Sequence, residues 1–142
     1  MQTDIQERCD KIEASYEFML AYAAQGLLTD EGSQSGKQLR EQLARMIEAL
    51  QGIGESCKSL IKQEQLVPAD RYAAFFEVLE RDANNSRVAL ELVLAQPGIS
   101  SQLIDNLNAS MHLRALLTDL FLITEILELK QTRLQADLNV LS

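Results

Sequence analysis

The chain has 142 residues, 46% of them apolar, and a formal net charge of −8. That much apolar content excludes a disordered chain, and the acidity opposes phosphate backbones and anionic lipid surfaces, so nucleic acid and membranes are not expected as partners. Only 6 Gly and 2 Pro punctuate the sequence. So few turn formers imply long elements, and the expectation is all-α: a single domain over residues 1–142, built as an antiparallel, up-down four-helix bundle with a long apolar C-terminal helix.

The first segment opens at Thr3, with Gln6 three residues on as in a capping box. Ile5, Cys9, Ile12, Tyr16, Met19 and Ala23 then fall at alternating steps of 4 and 3, the seam of a helix packed on another helix. Residues 1–35 hold seven acids against Arg8 and Lys11. This strip reads as a solvated face, or alternatively as a docking strip for a basic partner. Gly26 suits a helix stop, and residues 29–36 have no period and read as a loop.

The second segment, Lys37 to Gln63, carries Leu39, Leu43, Met46, Leu50, Ile53, Cys57 and Leu60 on one stripe. Gly52 and Gly54 inside it each cost about 1 kcal/mol relative to Ala. They predict a kink or the close approach of a neighbouring helix; the functional alternative is a groove or hinge. After Val67-Pro68-Ala69-Asp70 comes a third stripe: Tyr72, Phe76, Leu79, Ala83, Ser86, Leu90 and Val93, with Asn84-Asn85-Ser86 as a polar interruption.

Gln96-Pro97-Gly98 breaks the chain again, and Ser100 or Ser101 can cap the last segment. No stop appears before Leu138. A helix of about 40 residues would span roughly 55–60 Å, well beyond the other three, so it either breaks near Asn108-Ala109-Ser110 or projects past the bundle. Residues 115–129 are apolar around most of the circumference. Such a helix must be covered on more than one side, which predicts self-association or another protein partner docked on Leu113, Leu117, Phe121, Ile126 and Leu134, extended by Leu138, Val140 and Leu141.

Little in the chain suggests chemistry. His112 is the one histidine; residue 109 is Ala, so the Glu-x-x-His pair of di-iron bundles is missing. A lone helical His resembles the centre of histidine phosphotransfer domains, but those continue from it with a Leu-Lys-Gly run, whereas this chain has Leu113-Arg114-Ala115. Cys9 and Cys57 sit on apolar stripes and read as core, in no metal-like spacing. Glycine-rich phosphate loops and nucleophile elbows are lacking, and the acidic pairs Glu13/Glu17 and Glu77/Glu80 fall on outward positions. The first residues are too charged for a signal peptide, and no uncharged apolar run of membrane-spanning length occurs, so a reducing cytoplasm is expected. The expected function is therefore non-enzymatic: a protein–protein interaction module, such as an adaptor, regulator or chaperone-like subunit, acting as a homodimer or in a larger assembly, with no cofactor. The alternative is a bundle that binds a small ligand or cofactor near Tyr16, Tyr22, Tyr72 or His112, even a small enzyme.

Overall fold

In the computed structural model, which describes residues 3–141, the chain forms six helices: α1 (Asp4–Ala23), α2 (Gln34–Leu50), α3 (Ile53–Gln63), α4 (Ala69–Leu94), α5 (Ser101–Ala109) and α6 (Met111–Leu141). The described residues contain no strand. Six helices stand where four were expected, because two of the expected segments each break once.

The breaks have local causes. The second segment stops at Leu50, and Gly52 enters the left-handed region at φ +78° before α3 starts. The apolar stripe passes through the break unchanged: Leu50 and Ile53 are both buried and three residues apart. Two residues later, Gly54 is packed so closely under the Glu80 carboxylate of α4 that a Cβ there would collide with it. The last segment breaks at Ser110, whose backbone is extended. Its Oγ accepts from the Leu113 N–H at 3.3 Å and so caps the start of α6. At the other end of the chain the expected capping box is present: the Thr3 side chain accepts from Gln6 N–H, and the Gln6 side chain accepts from Thr3 N–H.

α1 packs against α2, α3 and α5, while α4 packs against α2, α3 and α6. The stripes read from the sequence meet in one interior lined by Ile12, Met19, Leu39, Leu43, Met46, Leu79, Leu90, Leu116 and Leu120, all without solvent exposure. Cys9 and Cys57 are buried in it as free thiols.

Polar ties fix the connections. At one end, Tyr22 Oη donates to the Ile99 carbonyl at 2.7 Å, and Ser101 Oγ donates to the Tyr22 carbonyl at 2.7 Å. There the buried Asp30 carboxylate accepts from Ile99 N–H and from Arg40, which also donates to the Leu94 and Gln96 carbonyls. Arg40 holds the Asp30 carboxyl below its ordinary range. This ion pair clamps the α1–α2 loop to the α4–α5 connection. At the other end, Arg8 of α1 donates to the Ala49 and Gln51 carbonyls and satisfies the exposed end of α2.

Candidate functional site

α6 is the element that positions the candidate surface. Its 31 residues span about 46 Å. Its first half is held in the molecule: Leu113, Leu116, Leu117, Asp119, Leu120 and Ile123 are buried. From Glu128 to Leu141 every residue is exposed except the half-buried Lys130, whose ammonium donates to the Glu64 carbonyl at 3.2 Å. The helix thus both begins at a break and projects past its neighbours: Thr3, Gln6, Leu60 and Leu66 still flank it as far as Leu134, and the last turns run on alone for about 10 Å.

The seven side chains expected at an interface divide at that point. Leu113 and Leu117 are 1% and 5% exposed. They belong to the interior because α4 and α5 cover the first turns of α6. Phe121, Ile126, Leu134, Leu138 and Leu141 face water. Among the described residues, fifteen large apolar side chains are exposed, and eight of them lie on α6 from Phe121 onward. Exposure is therefore concentrated in one element rather than scattered as single residues.

The exposed residues form two stripes. Leu134, Leu138 and Leu141 continue the face that carries Leu116, Leu120, Ile123 and Leu127 inside the molecule: at 100° per residue they stay within its arc. Leucine recurs every seventh residue along this seam, at 113, 120, 127, 134 and 141. That repeat is present in the sequence, but it crosses the boundary of the dense apolar run 115–129 and so does not stand out within it. The core-facing stripe thus runs on into water for two turns and more. Phe121, Leu122 and Leu129 lie on the opposite side of the helix, and Ile126 sits on the flank between the two stripes.

Beside that second stripe lies an apolar groove of about 320 Å³, lined by Pro68, Arg71, Tyr72, Phe75, Leu122, Ile123 and Ile126. Tyr72 and Phe76 are neighbours on this side of α4, ring centroids 6.1 Å apart. Of the other tyrosines considered for a ligand, Tyr22 is wholly buried with its hydroxyl spent on Ile99, and Tyr16 is half-buried against the interior.

No protein family model matches the chain, and no curated protein or solved structure matches it. The site is therefore read from its chemistry.

Reactive groups are few. Burial pushes the Cys9 thiol up to about 11 and the Cys57 thiol up to about 12, so neither supplies a thiolate near neutral pH. His112 is exposed at the start of α6, and its carbonyl accepts from Ser86 Oγ at 2.9 Å. Among the described residues no three His, Cys, Asp or Glu side chains cluster as metal ligands would, and no helix is long and apolar enough to cross a membrane. One unusual group remains. Asp119 of α6 is buried against Asp82 of α4, and its Oδ2 has no hydrogen-bond partner. Burial first, then the neighbouring Asp82, raises its pKa to about 7. A carboxyl half-protonated at neutral pH in the α4–α6 seam had no signal in the sequence, since Asp119 looked like one charge diluting an apolar run.

Proposed function

We propose that this protein acts by association: a non-enzymatic protein–protein interaction module, an adaptor, regulator or chaperone-like subunit whose docking element is the projecting half of α6. On this reading α1, α2 with α3, α4, and α5 with α6 make four rods of an up-down bundle, and the bundle is the mount for that element. One observation carries the proposal. The inward stripe of α6 continues through Leu134, Leu138 and Leu141, which are 54%, 60% and 84% exposed. Fully burying a leucine is worth roughly 1.5–3 kcal/mol, so covering this stripe yields a driving force that a surface helix in water forgoes. A partner laying a helix along it would gain that energy, as in helix-in-groove recognition.

The test compares the full chain with Leu134→Asp/Leu138→Asp, by light scattering of the pure protein and by quantitative capture from lysate of the native host. The wild-type chain associates with itself or with a defined protein, and the variant loses that association while keeping its far-ultraviolet circular dichroism. Equal association by both proteins, or none by either, sinks the reading.

The groove at Tyr72 and Phe75 supports a second reading. Its volume of about 320 Å³ lies at the small end of ligand sites, and a small apolar ligand is its natural occupant. A thermal-shift screen tests it: a ligand-dependent rise that Phe75→Ala removes would favour it.

A further inference from the structure

We propose that the groove between α4 and α6 is a site for a free amphipathic carboxylate, its apolar chain laid along Phe75 and Leu122 and its head group on Arg71. The proposal rests on the ligand reading of that groove and adds the chemical class of the ligand. Its first support is the distribution of charge along the groove. The two walls run antiparallel, since Asp82 of α4 meets Asp119 of α6. One wall reads Arg71, Phe75 and Asp82 along a single row of α4, and the other reads Ile126, Leu122 and Asp119 along α6. The groove therefore starts between Arg71 and Ile126 and leads towards the two aspartates, which lie about 10 Å beyond Phe75. Arg71 is in its lining and the aspartates are not, so a head group meets the arginine.

Bases gather at that first end. Lys130 and Arg133 continue the Ile126 row of α6 for one and two more turns. The Lys130 ammonium is held by the Glu64 carbonyl, whereas among the described residues Arg71 and Arg133 enter no ion pair. In a chain of net charge −8, an unpaired arginine on the rim of an apolar groove selects an anion. A planar carboxylate takes two N–H bonds from one guanidinium, and its single charge matches a single arginine. The second support is the rest of the lining. Leu122 and Ile126 are 49% and 37% exposed, an apolar surface that an alkyl chain would cover. The aspartates at the far end repel a second negative charge, so the chain lies with its carboxylate at Arg71 and its methyl end towards the α4–α6 seam.

The experiment titrates the full-length chain with octanoate, octanol and octylammonium, followed by chemical-shift changes in two-dimensional NMR spectra. Octanoate should bind about 3–5-fold more tightly than octanol, the scale of one exposed ion pair, and octylammonium more weakly than either. Raising the salt concentration should close the gap between octanoate and octanol. Arg71→Gln should bring octanoate down to the affinity of octanol and leave octanol unchanged. Leu122→Gln, at a half-exposed rim position that the fold does not depend on, should weaken all three probes. Octanoate no tighter than octanol, an equal loss of both in Arg71→Gln, or octylammonium as the tightest probe overturns the carboxylate assignment and leaves the ligand reading of the groove standing. No binding by any probe at millimolar concentration, or binding that Leu122→Gln does not alter, removes the groove as a ligand site altogether.

Discussion

Asp119 shows how one side chain can carry a cost that the rest of the molecule absorbs. Buried against Asp82, it holds its proton to about pH 7 in the folded state, whereas an unfolded carboxyl releases it near 3.9. The folded state therefore binds more protons over that interval, and stability falls as pH rises from about 4 through 7. The stabilising contribution of the protonated form is complete below about pH 4 and gone above about pH 8. Asp119→Asn keeps the shape and removes the titration. We expect it to raise the thermal midpoint at pH 8 by several degrees, corresponding to about 1–2 kcal/mol, and to change it little at pH 4.5. Calorimetry at the two pH values checks this; an equal effect at both would mean that the carboxyl is not the titrating group. Asp30 is the opposite case. Its charge is matched by Arg40 and by the Ile99 N–H, which is why an equally buried acid is held ionised.

At the level of the helices, the seams were legible throughout and the breaks only as alternatives: a kink at Gly52 and Gly54, and a break near Asn108-Ala109-Ser110, each stood beside another reading, and the structure has a break at both places. Leu39, Leu43, Met46, Leu50, Ile53, Cys57 and Leu60 are all buried as their spacing requires, yet the stripe spans two helices. Periodicity reports which face is apolar; it is blind to a one-residue excursion that returns the chain in phase. Gly52 was the available sign, since its φ of +78° is disfavoured for any residue with a Cβ. At Ser110 the sign was a cap: the hydroxyl occupies the Leu113 N–H, and Asn108-Ala109-Ser110 is the natural place for a break. Gly52→Ala should therefore destabilise the protein by about 1–2 kcal/mol through the left-handed backbone alone, because its Cβ would meet only the Arg8 side chain, at 3.6 Å. Urea unfolding measures this. A stabilising Gly52→Ala would mean that α2 and α3 can run on as one rod, the continuous helix that the spacing predicted.

Across the whole molecule the question is where the apolar surface goes. The interior was readable because its residues repeat at helical spacing, and the surplus on the last helix was readable from composition alone. How the surplus divides was not: sequence cannot say where the neighbours end. α4 and α5 cover Leu113 and Leu117, and beyond Leu127 the cover thins to the flanking Thr3, Gln6, Leu60 and Leu66, which reach as far as Leu134, so the same seam passes from core to surface along one helix. The exposed half inherits its helix from the packed half, which spares it the cost of nucleation, but it receives no packing energy of its own. Any cover for it must come from another molecule, and cover from another copy obeys mass action. The thermal midpoint of the wild-type chain should then rise with protein concentration, because dilution releases the folded pair. Raising the concentration a hundredfold through the dissociation constant should add about 1–3 kcal/mol per pair, a shift of several degrees. Leu134→Asp/Leu138→Asp should show a midpoint independent of concentration and close to that of the dilute wild type, since neither side chain contributes to the interior. Scanning calorimetry of both proteins from 1 to 100 μM decides it: parallel slopes for the two would place the association, if any, somewhere other than the α6 seam.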